Sequence, residues 1–212
     1  ITSEEFAERI KNNTLLEVTN NVPVHKGDVF FIQAGTLHAI GKGILIAEIQ
    51  QNSNTTYRIY DYGRVGADGK PRQLHVEKAC EVTELTPPKY PTKAQGAPEA
   101  VDGGTKTLLR SCEYFNVNKL ELSGTAKLTA SEKSFNSLLV LDGECTVTAN
   151  GESVTAAKGD SVFVDAGTGD YTVSGKAITE IGYSGVGQLG EVITFGDGTQ
   201  RVEILLKSGK ST

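Results

Sequence analysis

Lys26-Gly27-Asp28-Val29-Phe30-Phe31-Ile32-Gln33-Ala34-Gly35-Thr36-Leu37-His38 recurs without gaps as Lys158-Gly159-Asp160-Ser161-Val162-Phe163-Val164-Asp165-Ala166-Gly167-Thr168-Gly169-Asp170. The Lys-Gly-Asp opening, one phenylalanine and the Ala-Gly-Thr segment are identical in both copies, so one local structure is specified twice. The physical reading is a Gly-Asp turn, then a strand buried on both faces, then a corner whose small residues let the backbone bend into the next strand. The residue just past that corner is expected to point inward, His38 in the first copy and Asp170 in the second.

Outward from the first copy, Thr2-Ser3-Glu4-Glu5 reads as a capping box that starts a helix over about 3 to 12. A second short helix is expected from Thr14 and must end before Pro23, because proline disfavours a helical residue ahead of it. Val29 to Ile32, Ile44 to Ile49 and Tyr57 to Tyr62 are β-branched or aromatic runs that read as short strands, and Gly66 to Pro71 reads as a loop. Thr86 to Asp102 holds four of the six prolines, which places a linker at about 86–106. Beyond it the pattern is wholly β, with strands expected near 107–122, 125–131, 137–149, 153–156, 161–164, 170–174, 177–184, 192–195 and 201–206, as in a sandwich or barrel.

The 212 residues carry 26 acidic and 21 basic side chains, and a net charge of −5 argues against a nucleic-acid partner. The longest apolar runs, Gly43 to Ala47 and Leu138 to Leu141, fall far short of the ~20 residues that cross a bilayer, so no membrane association is expected. Cys80, Cys112 and Cys145 are odd in number and outside any C-x-x-C pattern, which fits thiols in a reducing cytoplasm.

The densest polar information runs from Glu48 to Arg64, as Glu48-Ile49-Gln50-Gln51-Asn52-Ser53-Asn54-Thr55-Thr56-Tyr57-Arg58-Ile59-Tyr60-Asp61-Tyr62-Gly63-Arg64. On a strand, Arg58, Tyr60 and Tyr62 would face one side and Arg64 would continue it. A guanidinium is the planar, permanently charged donor suited to phosphate or an enediolate oxygen, and tyrosines beside it offer hydroxyls and a stacking face for a sugar. The plainer alternative for Arg58 is an ion pair with Asp61, worth ~0 to 1 kcal/mol if exposed. His25 and His75 read as surface residues.

Gly27, Gly35 and His38, with their spacing, resemble the second signature motif of the cupin superfamily, small β-barrels whose inward histidine binds a divalent metal. The resemblance implies a mainly β chain of two cupin-type double-stranded β-helix barrels, the first incomplete, with short N-terminal helices. Gln33 and Asp165 stand where that motif usually has proline, and the second copy has no histidine. The second barrel, 107–212, is therefore expected to be metal-free and structural.

Phe30 to Gly41 followed by Glu48 to Arg64 resembles the type I phosphomannose isomerases, in particular their shorter bacterial form. The resemblance is specific over about residues 3–82 and looser to the C-terminus. It implies interconversion of mannose 6-phosphate and fructose 6-phosphate through a cis-enediolate with one bound zinc. It implies that His38 is a metal ligand, Arg58 the active-site arginine, Glu48 an acidic residue of the pocket and Arg64 a partner of the substrate phosphate. Tyr60 joins them as a sugar-binding residue. The Gln-x-His pair and the glutamate that complete the family's metal site have no match ahead of Pro23, and the chain opens on Ile1. Residues 1–85 are thus expected to be a helical lead-in and the second half of a catalytic barrel, in the C-terminal portion of an isomerase with little turnover alone. The competing expectation is a non-enzymatic bicupin that binds a sugar or sugar phosphate as a sensor or accessory module.

Overall fold

The computed structural model describes residues 1–51, 53, 55–184, 192–195 and 201–204. In chain order the elements are α1 (Ser3–Lys11), a 3-10 turn (Leu15–Val18), β1 (Val22–Pro23), β2 (Val29–Phe31), β3 (His38–Ile40), β4 (Ile46–Ile49) and α2 (Val76–Val82). Then come β5 (Glu99–Val101), β6 (Gly104–Ser111), β7 (Phe115–Leu122), β8 (Thr125–Ala130), β9 (Asn136–Ala149) and β10 (Glu152–Ala157). The last are β11 (Ser161–Val164), β12 (Gly169–Ser184), β13 (Val192–Phe195) and β14 (Arg201–Ile204). The chain is mainly β, as expected, and divides into two units, residues 1–46, 53–91 and 194–212, and residues 47–52 and 92–193.

In the first unit, α1 starts where the sequence places it. Thr2 caps it by accepting the Glu5 amide at 3.2 Å, with Glu4 and Glu5 in the first turn and Arg9 and Lys11 in the last, which suits the helix dipole. Its apolar face buries Phe6 in a cluster with Leu15, Ile59 and Ala79, against which Leu37, Tyr57 and Tyr60 also pack. β14 lies between β1 and β3, with Ile204 opposite His38. Helix α2 has no counterpart in the sequence reading. It is seven residues long, its cap His75 makes no side-chain capping bond, and it buries only Ala79, so neither a start signal nor an apolar stripe marks it.

Residues 99–184 of the second unit form one sheet ordered β10-β9-β12-β7-β6-β5, with β11 added to β9 and β8 to β12. The two longest strands each serve two partners. β9 pairs with β11 over its first part and β10 over its second, and β12 pairs with β8 and then β7. That arrangement folds the sheet around a core of Leu120, Leu122, Leu138, Val140, Val147, Val173 and Ile181. β12 was expected as two strands, but Gly175 stays paired with Cys145 and the ladder continues. Conversely, the strand expected over 107–122 is two, β6 and β7, separated by a turn in which the Cys112 amide donates to the Phe115 carbonyl at 2.9 Å. Residues 99–101 and 104–106, read as linker, belong to β5 and β6. β14 ends at Ile204, and the rest of the strand expected over 201–206 lies outside the described residues.

The two copies of the repeat share their turn and corner. Asp28 accepts the His25 amide on its carboxylate at 2.8 Å, and Asp160 accepts the Ala157 amide at 2.9 Å. At the corner, the Thr36 amide donates to Gln33 at 3.0 Å and the Thr168 amide to Asp165 at 3.3 Å, with φ of 87° at Gly35 and 80° at Gly167. Two expectations fail in the second copy. Its strand is not buried on both faces, since Phe163 is 60 % exposed and stacks on Phe135. Nor does Asp170 point inward: it is exposed and accepts the Thr129 hydroxyl at 2.7 Å, while Tyr171 takes the buried position. The cause is Gly169, whose φ of 77° turns the chain where Leu37 does not, so the inward face falls one residue later.

Among the described residues no helix is long and apolar enough to cross a membrane.

Candidate functional site

His38 opens β3 and is 7 % exposed. The ring Nδ1 lies 3.0 Å from the Thr36 carbonyl oxygen. A carbonyl can only accept, so the hydrogen of this bond sits on Nδ1. A backbone carbonyl that orients an imidazole in this way is a usual partner of a metal-ligating histidine. Among the described residues, however, no group of three or more His, Cys, Asp or Glu side chains could hold a metal ion. A catalytic zinc takes three protein ligands. The described residues therefore do not fit a complete zinc site, and His38 fits as a single ligand.

Residues 55–64 of the polar segment are not a strand. The chain bends at Ile59, which is 2 % exposed within the apolar cluster, and then turns sharply, with the Arg64 amide donating to the Asp61 carbonyl at 2.9 Å. Tyr62 holds a φ of 54° in this turn, a conformation that costs a non-glycine residue about 1 kcal/mol or more. Stacking offsets the cost: Tyr60 meets the Tyr62 ring edge-on at 4.8 Å, and the Arg64 guanidinium lies 5.3 Å above it. Instead of continuing along a strand, Arg64 is folded back toward Asp61.

Asp61 is the centre of the arrangement. Its side chain is 8 % exposed and is gripped by both prongs of Arg72, Nε to Oδ2 at 2.6 Å and Nη2 to Oδ1. Arg64 Nε stands 3.6 Å and Arg58 Nε 4.0 Å from the same Oδ1. Three guanidinium groups around one carboxylate leave two positive charges in excess. The hydrogen bonds from Arg72 hold the Asp61 carboxyl below the usual carboxylate range against the opposing effect of burial, and the charges of Arg72, Arg64 and Arg58 add to the lowering.

Arg72 was missed in the sequence, although a signal exists. The Gly66-to-Lys70 turn closes with the Gly66 amide on the Lys70 carbonyl at 2.8 Å, and Val65 bridges to Pro71, so Arg64 and Arg72 fall opposite one another across the loop. His75 was also misjudged as a surface residue. It is half-buried, its Nδ1 accepts the Arg58 amide at 3.1 Å, and its own amide donates to the Arg58 carbonyl at 2.6 Å. The Arg58 guanidinium adds a bond from Nη1 to the Gln73 carbonyl at 3.4 Å.

Helix α2 ties His38 to Arg58. His75 at its start holds the Arg58 backbone, and just past its end the Glu84 amide donates to the Gly35 carbonyl at 2.8 Å, at the corner that launches His38. A helix of this length spans about 10 Å. Leu37 and Ile59, the chain neighbours of His38 and Arg58, pack into the same apolar cluster. Tyr60 is half-buried against that cluster. Glu48 occupies an exposed position on β4, next to buried Ala47, and belongs to the second unit. Asn52 and Asn54 of the polar run lie outside the described residues.

Comparison with known proteins gives a consistent picture. Residues 104–181 match the family described as mannose-6-phosphate isomerase, cupin domain. The chain is 40 % identical over 176 residues to mannose-6-phosphate isomerase ManA of Bacillus subtilis, covering 83 % of this chain and 55 % of that protein. It is 38 % identical over 125 residues to the mannose-6-phosphate isomerase of Streptococcus mutans, covering 59 % of this chain and 39 % of that protein. The crystal structure of the mannose 6-phosphate isomerase from Bacillus subtilis superposes with a TM-score of 0.52 at 28 % identity, over 59 % of this chain and 39 % of that one. The chain thus spans about half the length, or less, of these curated relatives.

Proposed function

For a chain that belongs to the mannose-6-phosphate isomerase family, we propose a role as the arginine-bearing part of a site that interconverts mannose 6-phosphate and fructose 6-phosphate. The observation that carries this reading is the excess of two positive charges where Arg58, Arg64 and Arg72 surround the single carboxylate of Asp61. A sugar phosphate carries a charge of about −2 at pH 7, which that excess balances. Arg64, 61 % exposed, receives the phosphate, and Tyr60 with Tyr62 offers an aromatic edge to the sugar. Arg58 is more enclosed, with a side chain 23 % exposed and a backbone pinned by His75, which suits a donor that must stand still.

Moving a proton between C1 and C2 of the sugar passes through a cis-enediolate, and a fixed guanidinium stabilises the oxyanion as its charge develops. His38 would contribute one ligand to a zinc, its ring oriented by the Thr36 carbonyl. The thiols of Cys80, Cys112 and Cys145 are free, and burial pushes those of Cys80 and Cys145 up, away from the reactive thiolate.

The test is calorimetric titration with fructose 6-phosphate and with unphosphorylated fructose, beside a coupled assay of mannose 6-phosphate conversion with and without chelator. Fructose 6-phosphate should bind and fructose should not, Arg58→Ala and Arg64→Ala should each weaken binding about tenfold, and His38→Ala should lower the zinc retained. Equal affinity for both sugars would sink the proposal. Phosphate-dependent binding without turnover would move the protein to the sensor or accessory class.

A further inference from the structure

We propose that Arg72 is a positioning residue: by occupying both oxygens of Asp61, it keeps Arg58 and Arg64 available to an incoming phosphate. The inference rests on the reading that those two arginines receive the phosphate group.

A carboxylate offers two oxygens, and a guanidinium that meets both in parallel is its strongest side-chain partner. Arg72 does so, with Nε on Oδ2 at 2.6 Å and Nη2 on Oδ1. The Nε atoms of Arg64 and Arg58, at 3.6 and 4.0 Å from Oδ1, are near enough to be attracted but beyond hydrogen-bond distance. Asp61 therefore draws both arginines toward one point without consuming their donors. The sequence and the turn explain why this division of labour holds. Arg58 and Arg64 stand three residues on either side of Asp61 on one arm, whereas Arg72 arrives from the opposite arm across the Val65–Pro71 bridge and can approach Asp61 face-on.

Removing Arg72 would leave a carboxylate only 8 % exposed without its two charge-assisted bonds. An unpaired buried carboxylate is costly, so the nearest donors move onto it. Those donors are Arg64 and Arg58, each of which needs to close by about 1 Å to reach an ordinary N–H···O distance. Once bonded to Asp61, either would be withdrawn from the phosphate. Counting charges gives the same ordering: an excess of two in the parent, one in Arg72→Gln, and two again in the Asp61→Asn/Arg72→Gln double variant.

The experiment compares the protein with Arg72→Gln, the double variant and Arg58→Ala. Inorganic phosphate and fructose 6-phosphate are titrated by calorimetry, and the Arg58 and Arg64 Nε–H resonances are followed by NMR. Arg72→Gln should weaken both ligands about tenfold, the worth of one charge-assisted hydrogen bond. It should also move at least one of the two Nε–H signals to a hydrogen-bonded position. The double variant should recover affinity to within about threefold of the parent, whereas a purely structural role for Arg72 leaves it no better than the single variant. Unchanged affinity in Arg72→Gln, or no recovery in the double variant, overturns the proposal. If the parent binds neither probe while Nε–H signals still shift in Arg72→Gln, the sugar-phosphate reading fails and the capture of arginine by Asp61 stands; unmoved signals refute it. Arg72→Lys, which keeps the charge but not the fork, gives the same comparison with a smaller effect should Arg72→Gln not fold.

Discussion

Alanine at Gly35 and alanine at Gly167 are the same substitution at equivalent corners of the repeat, and the structure assigns them different costs. Both positions have left-handed φ, 87° and 80°, so each variant loses about 1–2 kcal/mol from the backbone alone. The surroundings then separate them. A Cβ at Gly35 would lie 2.7 Å from the carbonyl oxygen of Val82, the last residue of α2, and 3.3 Å from the Glu84 nitrogen just past it, both main-chain atoms. That backbone is itself tied to the corner by the Glu84–Gly35 hydrogen bond of 2.8 Å, so relief requires moving the end of the helix. Overpacking of this kind adds roughly 1–3 kcal/mol. At Gly167 the obstacle is the Glu132 carboxylate at 3.0 Å, the far end of an exposed side chain that can rotate away. Gly35→Ala should therefore destabilise its unit by about 2–5 kcal/mol and Gly167→Ala its own by about 1–2 kcal/mol. Native-state hydrogen exchange in urea measures both, read from the amides of Phe6 and Ala79 for one unit and Leu138 and Val140 for the other. Costs equal within about 0.5 kcal/mol would refute the argument that backbone obstruction, and not φ, distinguishes the two corners.

Two further outcomes concern stability. The Asp61 carboxyl is held below its ordinary value, so its contribution is complete above the unfolded-state pKa of about 4 and is lost as pH falls through the lower folded-state value. Acid titration of the first unit should thus show a steep loss below about pH 4 in the parent and a shallower one in Asp61→Asn, which is less stable at neutral pH; parallel curves would contradict this. In the second unit Leu138 is fully buried in the sheet core, and Leu138→Ala should cost about 2–5 kcal/mol by urea unfolding, with a cost below 1 kcal/mol excluding the core assignment.

Much of the fold was legible because its signals are local. A threonine cap followed by acidic residues specified α1, and a wholly β pattern broken by turn residues specified β8 to β11. What escaped reading depends on contacts distant in sequence. Helix α2 buries a single alanine, and the residue at its cap bonds to Arg58, seventeen positions earlier. The Tyr57-to-Tyr62 run has strand-like composition, yet the burial of Ile59 and the pull of Asp61 on Arg64 fold it into a turn. For the site, Arg58 and Arg64 could be found from residue type alone. Arg72 could be found only by taking the Gly66-to-Lys70 turn as the axis of a hairpin and asking what faces Arg64 across it.

The repeat shows how one motif can place the residue after its corner on the buried side in one copy and on the exposed side in the other. Turn and corner are the same in both, so the divergence begins at the first residue that can change chain direction, Leu37 against Gly169. With Leu37 packed into the apolar cluster, His38 enters a buried position with its Nδ1 fixed by Thr36. With Gly169 left-handed, the equivalent Asp170 is turned to the exposed side, and the buried position passes to Tyr171. There the Asn136 side-chain amide donates from Nδ2 to the tyrosine hydroxyl at 2.8 Å and to the Thr129 carbonyl at 3.1 Å, while its Oδ1 is buried without a hydrogen-bond partner. A ligand placed after the second corner would need both a different side chain and a different φ at residue 169. Glycine at 169 permits the left-handed φ that Leu37 does not adopt, and with that φ the inward face of the strand falls one residue later.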